Sequence, residues 1–425
     1  MNKKNFGEIF LLAKKVRLLP TAEQEQQLWK SAGTARFVYN WTLDKQIQYM
    51  KTTGKLNKLK DNDLRKDLTQ LKQTEEYEWL YEVSNNAAKQ AVKDVCGAID
   101  RFHSESKKHG YKYRKSAVKS GKELDFTDFE DFPRFKSKRR SKVSFYHDTE
   151  KLKVYETEVC IEKVGKVKLA EPGRIPVGEK YTNPRITHDG KYWHISVGVE
   201  QEAQKSELTG EVIGIDLGIK ELATVSSMDK PIENINKTKE VRRLKKKLKR
   251  KQKQISRKYD KNKKQIGKRG ENRYKIRKNS TNFFFHKTKN IEKLERETKL
   301  IHRRLSNIRL NHIHQATNTI VKTKPSRIVV EDLNVSGMMK NRHLSKAIAE
   351  QRFHTFVKIL SYKCEMNGIE IVKADRFYPS SKKCSFCGEI KKDLKLKDRV
   401  YTCPKCSFTI DRDKNASINL AMYIA

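Results

Sequence analysis

Cys384-Ser-Phe-Cys387 and Cys403-Pro-Lys-Cys406 stand directly before Asp411-Arg-Asp413-Lys-Asn-Ala-Ser417. Fifteen residues separate the two Cys-X-X-Cys pairs, which is the spacing of a four-cysteine zinc ribbon. The competing interpretations are four unrelated thiols and a disulfide pair. Two Cys-X-X-Cys motifs at this spacing disfavour both. Because four thiolates leave no open coordination position, the predicted zinc site is structural rather than catalytic. A helical pattern begins at about 414, so carboxylates stand at a helix start beside the predicted metal.

The net charge of the chain indicates its partner. Lys and Arg number 94 and Asp and Glu 52 among 425 residues, a formal net charge of +42. A compact protein with this charge repels itself unless a polyanion neutralises it, so we predict binding to nucleic acid that weakens as salt rises. A membrane surface is the alternative partner, but no apolar run approaches the roughly 20 residues that span a bilayer.

The N-terminal residues and the cysteines predict a location. The apolar run at 9–13 is too short for the core of a signal peptide, and two lysines follow it. We therefore expect a cytoplasmic protein, whose thiols stay reduced. Cys96, Cys160 and Cys364 lie outside the ribbon and are predicted to be small core residues.

Period-2 patterns in the first half of the chain predict a small β-domain. Residues 8–19 alternate loosely and end at Pro20, which predicts an edge strand. Short alternating segments fill 143–200, with a hairpin signal at 188–191. We assign 1–20 and 109–205 to this domain.

A helical module at 21–108 interrupts the predicted β-domain. Thr21 and Gln24 form a capping-box pattern that opens a helix. Apolar spacing then predicts two amphipathic helices across 22–51 and another across about 84–107.

From residue 211 the pattern becomes α/β. Continuous apolar runs predict buried strands at 212–218, 327–332 and 370–373, and helical spacing predicts one amphipathic helix across 346–367. We therefore predict an α/β domain built from 206–379 and 409–425, with long basic helices across about 238–320 and the zinc ribbon inserted at 380–408.

Three carboxylates stand at the ends of predicted elements: Asp216, Glu331 and Asp413. Taken singly, each is better explained by an ordinary role. Asp216 can begin a turn, Glu331 can end a strand in solvent, and Asp413 can be the N-cap of the last helix. Taken together they are informative, because a buried strand normally excludes a carboxylate from its end.

Convergence of these acids predicts a site for divalent cations. Three close carboxylates raise one another's pKa, and a bound cation relieves that penalty. Oxygen ligands suit magnesium or manganese. Two such ions about 4 Å apart activate water and stabilise the leaving oxygen in phosphodiester hydrolysis.

Two basic segments are candidates for nucleic-acid contacts. Residues 240–280 carry charge of nearly one sign, which phosphates can offset, although a solvated helix or disordered arm is the commoner explanation of a charge run. Phe283–Phe285 and His286 interrupt it as core or base-stacking residues, core being favoured. Residues 133–140 mix an aromatic ring with cations, which suits irregular RNA and equally an ordinary basic loop.

The motifs resemble those of a known family. Gly214-Ile-Asp-Leu-Gly-Ile219, Val330-Glu-Asp-Leu-Asn334 and Asp411-Arg-Asp-Lys-Asn-Ala416 resemble the three split motifs of a RuvC-type nuclease. Pro379-Ser-Ser-Lys-Lys-Cys-Ser-Phe-Cys-Gly388 resembles the zinc-ribbon insertion of TnpB proteins, transposon-encoded relatives of compact type V CRISPR effectors. Arg36-Phe-Val-Tyr-Asn40 and Pro133-Arg-Phe-Lys136 resemble the N-terminal motifs of that family.

The resemblance implies an α+β multidomain protein with an RNase H-like (RuvC) nuclease domain. It further implies a wedge-like β-barrel domain with an inserted helical recognition module. The implied catalytic and magnesium-binding residues are Asp216, Glu331 and Asp413, with Asp411 as a rival for the third position. The implied zinc ligands are Cys384, Cys387, Cys403 and Cys406.

The resemblance also implies an activity: cleavage of double-stranded target DNA beside a short flanking motif, directed by a transposon-derived guide RNA. One protein molecule per guide RNA and a prokaryotic, nucleoid-associated location are expected. The alternatives are a compact type V CRISPR effector, an RNA-guided DNA-binding repressor without cleavage, and an RNA-binding protein without guided targeting. The three retained acids disfavour the repressor.

Overall fold

A computed structural model describes residues 9–54, 56–118, 123–138, 141–202, 207–265, 283–285, 287–395 and 398–424. Two compact units make up the chain, one of them Leu11–Gln201 and the other built on Glu202–Ala425. Both combine helices with sheets, as predicted for an α+β protein. Within the described ranges, no helix has both the length and the apolar character needed to cross a membrane.

The Leu11–Gln201 unit contains a sheet and a group of helices. Its elements in chain order are β1 (Phe10–Leu19), α1 (Ala22–Thr53), α2 (Asp61–Lys72), α3 (Asn85–His109), α4 (Lys115–Val118), β2 (Val143–Tyr146), β3 (Lys153–Val154), β4 (Glu158–Ile161), β5 (Gly165–Leu169), β6 (Tyr181–His188) and β7 (Trp193–Gln201).

The sheet of this unit has seven strands in the order β2-β6-β7-β1-β5-β4-β3. The predicted hairpin joins β6 to β7, whose His188 and Trp193 are paired. The prediction that β1 is an edge strand is wrong, because β7 and β5 flank it on its two sides. Both neighbours lie far from β1 in the sequence, so the loose alternation of its side chains did not reveal them.

The first helix is one long element. Both hydrogen bonds of the capping box are present: the Gln24 N–H donates to Thr21 Oγ1 at 3.3 Å, and the Thr21 N–H donates to Gln24 Oε1 at 3.0 Å. The prediction of two helices across 22–51 is wrong, because α1 runs unbroken through Gly33. A glycine inside a helix costs only about 1 kcal/mol, which the burial of Leu28, Val38 and Leu43 on this helix exceeds.

The Glu202–Ala425 unit contains a second sheet, a pair of long helices and a small cysteine-bearing hairpin. Its elements are β8 (Thr209–Leu217), β9 (Ala223–Val225), α5 (Lys239–Lys261), β10 (Lys263–Gln265), β11 (Phe283–Phe285), α6 (Lys289–Lys322), β12 (Pro325–Glu331), α7 (Val335–Met338), α8 (Ser345–Gln351), α9 (Phe353–Met366), β13 (Glu370–Ala374), β14 (Val400–Thr402), β15 (Thr409–Asp411) and α10 (Arg412–Ala421).

The second sheet has the order β13-β12-β8-β9, and the three predicted strands β8, β12 and β13 run parallel to one another. Helix α10 lies directly on the backbone of β8. A Cβ atom at Gly214 would stand 2.0 Å from the Ser417 carbonyl oxygen and 2.4 Å from the Ala421 nitrogen. Only glycine permits this approach, so Gly214 is required for α10 to pack on the sheet.

The prediction of one helix across 346–367 is wrong. The segment forms two helices, α8 and α9, with a break at Arg352. This residue adopts φ +59°, in the left-handed region. The buried Gln351 before it donates to the carbonyl oxygens of Gly218 and Ile219 at 3.0 and 3.3 Å. These bonds hold the end of α8 against the turn that follows Asp216.

Candidate active site and zinc centre

Two of the predicted acids lie side by side at the carboxyl edge of the second sheet. Val330 of β12 is paired with Ile215 of β8 in a parallel ladder. The next residues, Glu331 and Asp216, are therefore level with each other on adjacent strands. Side chains at the carboxyl ends of neighbouring parallel strands share one edge, which is where open α/β sheets bind ligands.

The site carries more negative charge than its surroundings stabilise. Burial, followed by the charges of Glu331 and Asp413, raises the pKa of Asp216 to about 8. Burial also raises the pKa of Glu331. A bound cation would favour the ionised form of both carboxyls, so the electrostatics fit a divalent metal held by oxygen ligands.

The third acid, Asp413, lies in the first turn of α10 and forms ion pairs. Arg412 Nε and Nη2 donate to Asp413 Oδ1 at 3.1 and 2.9 Å, and Arg399 Nη1 lies 3.7 Å from Asp413 Oδ2. Its charge contributes more than that of Asp411 to the raised pKa of Asp216. Asp413 is thus close enough to influence Asp216 while its own carboxylate is paired with arginine.

Asp411 has a structural task. Its Oδ1 accepts the N–H groups of Asp413 and Lys414 at 2.9 and 3.1 Å. The N-cap interpretation of Asp413 is therefore wrong, because Asp411 caps α10.

Lys414 fixes the start of α10 to the sheet, a role that the sequence analysis missed. Its Nζ donates to the carbonyl oxygens of Met228, Ser226 and Val225 at 2.7, 2.8 and 3.3 Å. These carbonyls lie at the last residue of β9, the neighbour of β8, and just after it. A lysine in the first turn of a helix opposes the helix dipole, and this anomaly was the signal available in the sequence.

The four ribbon cysteines form a compact group. Their ligand atoms all lie within 4.8 Å of one another. Sγ of Cys384 is 3.8 Å from Sγ of Cys406, and Sγ of Cys387 is 3.5 Å from Sγ of Cys403. A zinc tetrahedron with Zn–S bonds of about 2.3 Å has edges of about 3.8 Å, so the cluster is compatible with zinc. Among the described residues, the carboxylate oxygens of Asp216, Glu331 and Asp413 do not form a group as close as that of the cysteine sulfurs.

One of these thiols is poised to ionise. Burial raises the pKa of Cys403, but hydrogen bonds from the backbone N–H groups of Cys406 and Lys405 outweigh burial and bring it to about 6. A thiolate at neutral pH is the form that binds a metal.

Two buried asparagines join the cysteine hairpin to α10. Asn415 Nδ2 donates to the Lys383 carbonyl oxygen at 2.7 Å, and its Oδ1 accepts the Ser385 N–H at 3.0 Å. Asn419 Nδ2 donates to the Lys383 and Ser380 carbonyl oxygens at 2.6 and 2.8 Å. The order of the cysteine site is thereby coupled to the helix that carries Asp413. The i, i+4 spacing of two asparagines in an apolar stretch was the signal for this role.

A one-sided row of cations, the cationic stripe, follows α5. Its members are Lys239, Arg242, Arg243, Lys246, Lys249, Arg250 and Lys253. None of them has an ion-pair partner among the described residues. The stripe extends over about 21 Å at 1.5 Å per residue.

Other cations of the α5–α6 pair are neutralised. Lys245 pairs with Glu350 at 2.5 Å and Lys251 with Glu297 at 2.7 Å. These two lysines of α5 are held by acids of α8 and α6, whereas the cationic stripe is an open face that a phosphate backbone would fit.

The structure describes only some of the other residues that were predicted to contact nucleic acid. Residues 266–282 and His286 lie outside the described residues, as do Arg139 and Arg140. Phe283–Phe285 form β11, paired antiparallel with β10. The nitrogen and oxygen of the Lys136 backbone are both bonded to the Asn40 side chain, at 2.7 and 2.9 Å. This pair joins the two N-terminal motifs.

Three family models match successive parts of the chain. A helix-turn-helix model of the IS605 OrfB group matches residues 10–55, although the structure has β1 and the single helix α1 there. An IS605 OrfB model described as "Probable transposase" matches 194–342, and a "Cas12f1-like, TNB domain" model matches 353–420. The last two contain all three acids and all four ribbon cysteines. These matches support membership of the TnpB family.

Named relatives match this chain along most of its length. A Streptomyces pristinaespiralis protein named "Putative RNA-guided DNA endonuclease" is 27% identical over 96% of this chain and 87% of its own. Escherichia coli K12 InsQ, which carries the same description, is 24% identical over 96% of this chain and 91% of its own. A cryo-EM structure of a Cas12f1–sgRNA–target DNA complex aligns over 98% of this chain and 99% of its own, with 13% identity and a TM-score of 0.46.

Proposed function

We propose that this chain is an RNA-guided DNA endonuclease that hydrolyses phosphodiester bonds with magnesium or manganese. The observation that carries the proposal is the pairing of Asp216 and Glu331 at one sheet edge, where burial and neighbouring acids raise the pKa of Asp216 to about 8. A carboxyl group kept protonated at neutral pH has no use as a structural ion-pair partner. A cation-binding role explains this carboxyl group, because a bound cation would favour its ionised form. The named relatives support the same activity.

The catalytic centre consists of Asp216, Glu331 and Asp413. A divalent cation bound there would supply the charge that activates water and stabilises the leaving oxygen. Asp216 and Glu331 are held level by the strand register, and Asp413 is carried to them by α10. Arg412 and Arg399 now balance the Asp413 carboxylate, so Asp413 must exchange these partners to bind the cation.

The partners are a guide RNA and double-stranded target DNA. Base pairing with the guide supplies sequence specificity, so the protein needs a grip on shape and phosphates. The net charge of +42 and the cationic stripe supply it. In this proposal 206–379 and 409–425 form an RNase H-like (RuvC) domain with the zinc ribbon at 380–408, and 1–20 and 109–205 form a wedge domain around the recognition module at 21–108.

Cleavage of a plasmid target tests the proposal. The chain is purified with the RNA that accompanies it, that RNA is sequenced, and a plasmid with the matching target is incubated with Mg²⁺. We expect cleavage by the unmodified complex and its loss in Asp216→Ala, with guide RNA retained. Cleavage by Asp216→Ala at the unmodified rate would refute the catalytic assignment, and target binding without cleavage would favour the repressor.

Matched substitutions separate the rival acids. Glu331→Gln should abolish cleavage, whereas Asp332→Asn, which removes an ion pair with Arg376, should not. Asn replaces Asp at an N-cap without loss of capping, so Asp411→Asn preserves α10 and tests only the charge. If Asp411→Asn abolishes cleavage and Asp413→Asn does not, Asp411 is the third acid.

A further inference from the structure

A basic pocket lies in the Leu11–Gln201 unit, between the first half of α1 and the segment that leads into β2. Its volume is about 540 Å³, within the range of about 300–1,000 Å³ typical of ligand pockets. Five cations and one exposed aromatic ring line it, and the described lining residues include no acid. The cations are Lys30, Arg36, Lys136, Lys138 and Lys142.

The aromatic ring of the basic pocket is Trp29. Its side chain is 40% exposed, a large apolar surface to leave in water. The ring is nevertheless held in place, with its centroid 4.7 Å from the ring of His188 and 5.0 Å from that of the buried Trp193. A fixed and accessible indole is a platform on which another flat ring can stack.

The floor of the basic pocket is kept open by small residues of α1. Ala32, Gly33 and Ala35 line it, and a Cβ atom added at Gly33 would meet nothing within 4 Å. Space beside the indole is therefore available to a ring-sized group.

Hydrogen bonds at Lys136, Ser137 and Ser141 hold the described part of the opposite wall. The Asn40 side chain accepts the Lys136 N–H at 2.7 Å and donates to the Lys136 carbonyl oxygen at 2.9 Å. The Ser137 N–H donates to Ser141 Oγ at 2.9 Å, and the Ser141 N–H donates to the Ser137 carbonyl oxygen at 3.0 Å. Exposed Lys138 and Lys142 stand on this segment, so their charges lie at a fixed side of the pocket.

We propose that the basic pocket binds one unpaired nucleotide, with its base stacked on Trp29 and its phosphate held by Arg36 and the lysines. A planar apolar group joined to an anion is the ligand that an exposed indole among cations fits. Lys30 is paired with Glu82, whereas no ion pair is seen among the described residues for Arg36, Lys138 or Lys142. Bases inside a duplex are stacked on each other, so the nucleotide must come from a single-stranded segment. The inference rests on the proposed function, which supplies two such segments: guide RNA and displaced DNA.

Short oligonucleotides test the pocket without guide RNA or cleavage. Fluorescence anisotropy compares a labelled pentamer of uridine, rU5, with an abasic pentamer that has the same phosphates and no bases. We expect base removal to weaken binding to the unmodified chain about tenfold, from the stacking of one base. The same change should weaken binding to Trp29→Leu less than twofold. Measurement with dT5 assigns the site to RNA if only rU5 shows the difference, and to DNA if only dT5 does.

Trp79→Leu is the matched control. Trp79 is 39% exposed, nearly as much as Trp29, but it lies in a 3₁₀ helix with acidic neighbours at Glu75, Glu76 and Glu78. This variant should keep the tenfold difference. If a folded Trp29→Leu also keeps it, the proposal is wrong. A failure of guided cleavage would not alter these outcomes, because the assay requires none.

Trp29 packs on Trp193, so Trp29→Leu could fail to fold. Crosslinking to the unmodified chain tests the pocket without that variant. A pentamer with one 5-iodouridine is irradiated with the unmodified chain, and the modified peptide is identified by mass spectrometry. Attachment to Trp29 supports the pocket. Attachment only to other residues overturns it.

Discussion

Replacing Asp216 by asparagine should make the protein more stable at neutral pH when no divalent cation is added, although it should abolish cleavage. The cause is the raised pKa of Asp216, to about 8, which burial and then the charges of Glu331 and Asp413 produce. At pH 7 the unfolded chain ionises this carboxyl, whereas the folded chain must keep it protonated. Asparagine has nearly the same shape and no proton to gain or lose, so it removes this penalty.

The size of the effect follows from the shift. The ordinary pKa of 3.8 lies 3.2 pH units below pH 7. At 1.36 kcal/mol per unit, keeping Asp216 protonated in the folded chain costs about 4 kcal/mol at pH 7. The carboxyl keeps some contact with solvent, so we expect about half, roughly 2 kcal/mol. Below pH 3.8 both states are protonated and the penalty is absent. It grows as pH rises towards 8 and is constant above that value.

Thermal unfolding between pH 3.5 and 9 without added divalent ion measures the effect. A gain of roughly 2 kcal/mol raises Tm by about 4–8 °C in a unit of this size, and it should vanish near pH 3.5. Asp229→Asn, at an exposed position after β9, should change Tm little at any pH. Mg²⁺ should raise Tm of the unmodified chain more than that of Asp216→Asn. A Tm difference that stays constant across the pH range would refute the reasoning.

Three further changes test the surroundings of the site. Cys403→Ser should lower bound zinc and reduce cleavage through the asparagines that join the ribbon to α10, whereas Cys160→Ser should leave zinc content unchanged; equal zinc in both variants would count against the ribbon. Lys414→Met removes three hydrogen bonds and should raise the Mg²⁺ concentration for half-maximal cleavage about tenfold, with unaltered Mg²⁺ dependence as the contrary result. Arg250→Gln, in the cationic stripe, should lower the slope of log affinity for duplex against log salt by about one. Lys251→Gln, whose cation is paired with Glu297, should not, and equal slopes would argue against the stripe.

The acids at the sheet edge were predictable because local sequence determines them. Runs such as Val212-Ile-Gly-Ile and Arg327-Ile-Val-Val suit only strands buried on both faces. Parallel strands then bring their carboxyl ends to one edge. The cysteine cluster was predictable for a similar reason, since its spacing is the signal.

Elements set by distant partners were not predictable. The position of β1 inside its sheet depends on β5 and β7, more than a hundred residues away. The break at Arg352 depends on bonds from Gln351 to carbonyls at Gly218 and Ile219. Periodicity within a segment carries no information about either contact.

Which of Asp411 and Asp413 caps α10 could not be told from the sequence. Both residues stand at the start of the same helix, and either type of position suits aspartate. Only the direction of each side chain separates them: Asp411 turns back to bond the first N–H groups of α10, and Asp413 faces Arg412.

The close packing of α10 on Gly214 has a consequence for how the protein is made. The two partners are separated by roughly 200 residues, and Asp413 follows Glu331 by roughly 80. At the usual rate of about 5–20 residues per second, those 80 residues take about 4–16 s to synthesise. During that interval α5 and its cationic stripe have already emerged from the ribosome. If the proposed function is right, a nascent chain exposes its cationic stripe before it contains the third proposed acid, and translation itself delays cleavage until the last helix has docked.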